Sequence, residues 1–105
     1  MNYQIELRHL HYFRVLAEEL HFRKAAERLF ISQPGLTRQI KQMEEIYKTT
    51  LFERGKRSVK LAEAGEFLKK EVDLIFNQLA NMHTQIEKIS EGKITNLKLG
   101  FIGSA

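Results

Sequence analysis

The chain has 105 residues, 43% of them hydrophobic and 29% charged, with a net charge of +4 and no cysteine. That is enough apolar material for one small domain, or one domain plus an appendage, and more than a disordered chain carries. The absent cysteines exclude disulfides and thiolate metal sites, and no apolar run reaches the roughly 18 residues of a membrane span.

The N-terminus MNYQIELRHL lacks a signal peptide's apolar stretch, which makes the expected compartment cytoplasmic. Charge is distributed unevenly. Residues 1–61 hold 12 Lys/Arg against 7 Asp/Glu, a balance of +5, whereas residues 62–105 hold 5 against 6, a balance of −1. A basic first part suits a polyanionic partner, nucleic acid before an anionic membrane, although a solvated surface can carry the same charge.

Leu7, Leu10, Phe13, Leu16, Ala17 and Leu20 recur at three- and four-residue steps and predict an amphipathic helix over roughly 6–20. A short second helix follows, with Ala25, Ala26 and Leu29 on its apolar stripe and Arg23, Lys24, Glu27 and Arg28 outside. Phe30, Ile31 and Ser32 leave room only for a tight turn.

The next segment, SQPGLTRQI, holds the only proline of the chain. Leu36, Ile40, Met43 and Tyr47 mark one narrow face of a third helix, for which Ser32 is a good N-cap. Gln33 is then the first helical residue and Pro34 the second. Proline is harmless there, because first-turn N–H groups have no intrahelical acceptor. At about 100° per residue, Thr37, Lys41 and Arg38 lie roughly 100°, 140° and 200° from Leu36, on the side away from the core. A helix with a pinned start and an exposed Gln, Thr, Arg and Lys face suits DNA reading. Its positive dipole end also favours phosphate. An ordinary surface helix would show the same pattern.

LFERGKRSVKL, residues 51–61, reads as a β-hairpin turning near Gly55, with Arg54, Lys56, Arg57 and Lys60 crowded along it. Behind a three-helix unit, such a basic hairpin is expected to act as the wing of a winged helix-turn-helix. From Ala62 to about Ser90 the apolar series is Leu68, Val72, Ile75, Leu79, Met82, Ile86 and Ile89. The alternating steps of 4 and 3 give a period of 3.5, the seam of a coiled coil. A helix of about 44 Å results, at 1.5 Å per residue, with Gly92 its expected terminator. So long a seam in so small a protein predicts homodimerisation. Leu74 and Phe76 widen the stripe toward a second contact, for which the first helix of the head is the candidate. Residues 95–105 alternate Leu97, Leu99 and Phe101 and read as one β-strand lacking a partner strand.

With these segments placed, the sequence resembles the N-terminal part of LysR-type transcriptional regulators. The likeness runs through LRHLHYF (7–13), AAERL (25–29), SQPGLTRQI (32–40), LFER (51–54), the basic hairpin and AEAG (62–65), nearly the whole chain. It implies a mainly α fold: a winged helix-turn-helix (three helices plus a β-hairpin wing) over 1–61, then a long dimerisation helix over 62–92. It also implies that 93–105 begins an effector-binding domain, because TNLKLGFIG resembles that domain's first strand; the chain is thus expected to be a DNA-binding fragment without its sensor.

The implied function is sequence-specific binding of double-stranded DNA at an interrupted palindrome by a homodimer, with tetramers expected only when the effector domain is present. Carried over residue by residue, Gln33, Pro34, Thr37 and Arg38 meet base edges, and Lys24 holds backbone. Arg54 opens the wing over a phosphate or in the minor groove, and Arg23, Lys41, Lys56 and Arg57 are further contacts. The dimer interface would be Leu68, Val72, Ile75, Leu79, Met82, Ile86 and Ile89. One departure is Ala62, where the family usually places a threonine that caps the linker helix, so a looser wing-to-linker junction is expected.

No enzyme is expected. Ser32, Ser58, Ser90 and Ser104 lie in no local nucleophile signature, and no glycine-rich phosphate loop occurs. His9 and His11 are two apart on a helix and face different ways, whereas metal-binding helices use i, i+4, so neither a metal nor a cofactor is expected. The alternatives are a non-specific architectural DNA-binding protein and a pure dimerisation module. The expected setting is the bacterial cytoplasm, in association with the nucleoid, with no membrane contact.

Overall fold

The computed structural model describes the backbone of residues 4–98 and the side chains of residues 4–92. Three helices come first: α1 (Leu7–Glu19), α2 (Phe22–Leu29) and α3 (Gln33–Tyr47). The strands β1 (Phe52–Arg54) and β2 (Val59–Leu61) follow, then the helix α4 (Glu63–Lys98). The chain forms two compact units, one ending at Asp73 and the other beginning at Leu74.

In the first unit the core joins Phe13 and Leu16 of α1 to Ala25 and Ala26 of α2 and Leu36, Ile40 and Met43 of α3. The two alanines keep α2 narrow where α1 and α3 meet it. Leu51 and Phe52 complete the core from the hairpin side, the Phe52 ring lying 5.3 Å from that of Phe13. The ends of the α1 apolar series, Leu7 and Leu20, stay exposed, while Val15 and His9 are buried instead.

Each of α1, α2 and α3 ends on a left-handed residue that is not glycine: Leu20 (φ 51°), Phe30 (φ 58°) and Lys48 (φ 57°). Phe30 is also 93% exposed, so its ring recovers no burial energy for this conformation. A side chain in the left-handed region costs about 1–2 kcal/mol. Glycine's larger unfolded-state entropy offsets part of that. Phe30→Gly should therefore stabilise the fold by about 0.5–1 kcal/mol and raise its melting temperature by about 2–8 °C. A lowered melting temperature would mean that the ring makes a stabilising contact.

The hairpin pairs antiparallel, with Phe52 opposite Leu61 and Arg54 opposite Val59, and Gly55 N–H donates to the Ser58 carbonyl (2.8 Å) to close the turn. Its root is held by α3. A Glu44 carboxylate oxygen accepts from the backbone N–H groups of Leu51 (2.8 Å) and Phe52 (3.2 Å). Both bonds are charge-assisted and partly buried. Glu44→Ala should cost about 2 kcal/mol by stranding two donors. Denaturant unfolding would measure it, together with faster hydrogen exchange at Leu51 and Phe52; unchanged exchange would show the hairpin root to be held by packing alone.

The junction into α4 has no side-chain hydroxyl, but it is tight. Ala62 is buried, its N–H donates to the Leu51 carbonyl (2.9 Å), and its own carbonyl accepts from Glu66 N–H (2.9 Å). These bonds fix the backbone at Ala62 itself, whereas a hydroxyl at 62 would accept from a first-turn N–H of α4, a role no side chain among the described residues fills. Further along, Asp73 accepts from Lys69 (2.6 Å) and Arg14 (3.1 Å), which ties α4 to α1 within the first unit. The Lys69 ammonium, followed by Arg14, holds the Asp73 carboxyl below its usual range against a partial desolvation.

Two expectations need correction. The helix does not stop at Gly92 but continues to Lys98. One glycine in a helix interior costs only about 1 kcal/mol, and a helix satisfies its backbone groups locally where a strand needs a partner. Leu97 is thus helical, not the start of a strand; Leu99 and Phe101 lie outside the described residues. Val72 also leaves the seam, being fully buried in its own unit. Leu68 is half-buried there too, whereas in the second unit Ile75, Met82, Ile86 and Ile89 are exposed.

Candidate nucleic-acid interface

Ser32 starts the site. Its hydroxyl accepts from Gly35 N–H at 3.0 Å, and Pro34 sits in the first turn, so the front of α3 is set by one side chain and one ring. Burial of Leu36, Ile40 and Met43 then rotates the opposite face outward. Gln33, Pro34, Thr37, Arg38 and Lys41 line a shallow open groove along that face, joined by Gln39, Gln42 and Glu45.

A second depression connects the three parts of the unit that carry basic residues. The start of α2 contributes His21, Phe22 and Arg23, α3 contributes Gln33, and the hairpin contributes Gly55 to Val59, including Lys56 and Arg57. His21 is the N-cap of α2, its Nδ1 accepting from Lys24 N–H at 3.2 Å. The Arg54 guanidinium lies 4.7 Å from the centroid of the Phe22 ring, a cation–π contact that fastens the hairpin to α2.

The fold thus brings Arg23, Gln33, Lys56 and Arg57 around one gap, and Pro34, Thr37, Arg38 and Lys41 onto the adjoining groove. Lys24 is exposed at the start of α2 but lines neither depression. Arg54, at the end of β1, lines neither depression, and its guanidinium rests on the Phe22 ring.

Ion pairing leaves the cations of this side without carboxylate partners. Arg8, Arg14, Arg28 and Lys69 each have a carboxylate partner, as does Lys60 with Glu53 across the hairpin. Among the described residues no carboxylate pairs with Arg23, Lys24, Arg38, Lys41, Lys56 or Arg57. Unpaired cations beside two helix starts leave a positive field directed outward.

Sequence reasoning missed His21, Gln39 and Gln42. The signal for His21 was its place three residues before Lys24, the spacing of a capping side chain. For the two glutamines there was none, because their partners Arg8 and His9 lie about thirty residues earlier and meet them only through the packing of α1 on α3.

Comparison with known proteins covers the same elements. Residues 7–66 match the family described as bacterial regulatory helix-turn-helix protein, lysR family. The chain is 45% identical over 101 residues to the HTH-type transcriptional regulator AlsR of Bacillus subtilis, which covers 96% of the chain but 33% of AlsR. It is 44% identical to the HTH-type transcriptional regulator BudR of Klebsiella aerogenes, covering 95% of the chain and 70% of BudR. The crystal structure of the BenM DBD/catB site 1 DNA complex superposes with a TM-score of 0.80 at 40% identity, covering 84% of this chain and 98% of that one. The chain spans about a third of the length of AlsR.

Proposed function

The chain belongs to the LysR family of bacterial helix-turn-helix regulatory proteins, and from that membership we propose that it binds double-stranded DNA sequence-specifically, as a homodimer, within a transcription regulator. The observation that carries this reading is the set of six unpaired cations around the start of α2, the outward face of α3 and the hairpin.

On this reading α3 enters the major groove. Gln33 pairs with a base edge, adenine offering it two complementary contacts, and Pro34 and the Thr37 methyl touch thymine methyl groups. Arg38 reads a base or holds a phosphate, Lys24, Arg23 and Lys41 neutralise backbone, and Lys56 and Arg57 bring the hairpin to phosphates. Arg54 serves by holding the hairpin against α2 and is available to the minor groove if DNA displaces Phe22. Phosphate neutralisation supplies much of the affinity, which therefore falls steeply with salt. The same binding would place the protein with the nucleoid.

The exposed series Ile75, Met82, Ile86 and Ile89, with Leu79 between, pairs the second unit with a second copy. Ile86→Glu places a charge on that seam and should convert a dimer into a monomer by sedimentation equilibrium while leaving the melting of the first unit intact. A dimer that survives Ile86→Glu would assign the contact elsewhere. Residues 93–105 lead toward an effector-binding domain in the longer regulators, through which tetramers would form.

The test is selection from a random duplex pool at near-physiological salt. Two recognition helices about 34 Å apart should recover an interrupted palindrome with half-sites one helical turn apart. Binding without an enriched motif would instead indicate an architectural protein that senses charge alone.

A further inference from the structure

Two glutamines on the reading groove have their amide oxygens already taken. The Arg8 guanidinium donates to Gln39 Oε1 at 2.8 Å, and the His9 ring meets Gln42 Oε1 at 3.3 Å through Nε2. The His9 tautomer follows from its other nitrogen. Nδ1 accepts from Glu6 N–H at 3.0 Å, so it carries a lone pair, and the neutral ring must hold its proton on Nε2. His9 is 1% exposed and lies where α1 backs α3. Arginine has only donors, and the His9 Nε2–H is a donor, so each amide must turn its oxygen inward and its NH2 group outward.

We infer that His9 is a positioning residue for DNA reading: by locking the Gln42 amide it makes that flank of the recognition face a pure hydrogen-bond donor. The inference rests on the DNA-binding reading above. Glutamine pairs with adenine by donating to N7 and accepting from N6–H, which needs both amide atoms free. A glutamine whose oxygen is turned inward onto such a donor presents its NH2 group, not its acceptor, to the groove. Gln33, whose amide makes no such bond in this structure, keeps the option of adenine; Gln42 does not. Gln42 is exposed beside Arg38, and its NH2 group there suits acceptors such as guanine O6 and N7 or thymine O4. The two glutamines thus have different base preferences because of what stands behind them.

The test has two independent arms. Two-bond proton–nitrogen spectra of histidine-labelled free protein should show His9 as the Nε2–H tautomer at neutral pH; an Nδ1–H ring or a cation would overturn the inference without any DNA present. In the second arm, base preferences of the wild type, Gln42→Met and Gln42→Glu are compared by duplex selection. Gln42 is exposed, so both variants should fold as the wild type does. Gln42→Met should lose preference at one base pair per half-site, by about fivefold or more, with the remaining motif kept. Gln42→Glu retains an acceptor for His9 but turns an acceptor outward, and should shift that base pair toward cytosine, whose N4 amine donates. A uniform loss of affinity on all duplexes would assign Gln42 to the phosphate backbone and overturn the base-reading role. If the wild type enriches no motif, the sequence-reading function fails, and this role with it, while the histidine spectrum still reports the amide orientation.

Discussion

Gly65→Ala is expected to destabilise the first unit strongly, although it swaps a glycine for a better helix former. Gly65 lies in the first turn of α4, where alanine ordinarily gains about 1 kcal/mol over glycine. Here an added Cβ would fall on the Leu51 carbonyl oxygen, with Leu61 Cδ2 at 3.0 Å and the Leu51 carbonyl carbon at 3.1 Å. Two of these atoms are backbone, and the carbonyl is already bonded to Ala62 N–H, so nothing flexible can give way. α4 and β1 would have to separate. Overpacking of this kind typically costs about 1–3 kcal/mol, and the lost bond adds about 1 more. With 4–8 °C of melting temperature per kcal/mol in a domain of this size, the fall should be on the order of 10–25 °C. Ala64→Gly is the control, losing only about 1 kcal/mol through helix propensity. Circular dichroism melts of both variants decide the matter. If Gly65→Ala melts at or above the wild-type temperature, the close approach of α4 to β1 does not exist in solution.

For recognition the largest effect is expected at Arg38. It stands on the outward face of α3 with no carboxylate beside it among the described residues, so its removal leaves no stranded partner and should barely change the melt. On DNA, Arg38→Ala should reduce the preference for the selected site over a scrambled duplex by about 5- to 150-fold, the range of one directed base contact. Titrations at two salt concentrations separate the possibilities. An arginine on a phosphate would weaken both duplexes alike and lower the salt slope by about one. Equal weakening would therefore remove Arg38 from the base-reading set and leave the burden on Gln33 and Thr37. The two substitutions are complementary: Gly65→Ala should lower the stability of the domain, and Arg38→Ala should change discrimination in a domain of unchanged stability.

Most of the fold was legible because local patterns agree with one another. Leu36, Ile40 and Met43 are at helical spacing and are all buried, and Ser32 caps the helix they define. The hairpin from residue 51 to 61 forms about its glycine turn as its composition suggested. The orientation of Thr37, Arg38 and Lys41 away from the core followed from the same arithmetic. Where local pattern failed, a nonlocal contact or a weak local signal was responsible. Gly92 is a helix-ending residue by statistics, yet α4 runs on, since a glycine signals a stop only when the following backbone has a better alternative. Val72 fits a 3.5-residue seam as well as Ile75 does, but it is buried within its own unit.

The sequence by itself determined the helices, the hairpin, the basic first part and the face of α3 that points outward, because those depend on residue spacing along a single element. Only the tertiary structure decided which cations remain unpaired and that Arg54 rests on Phe22. It alone placed Glu44 on the root of the hairpin, Gly65 against the backbone of Leu51, and the Gln42 amide oxygen on His9. Each of these joins residues on different elements. A hydrogen bond or a steric limit of that kind depends on angstrom-scale distances that arise only when the elements pack, and periodicity carries no information about them.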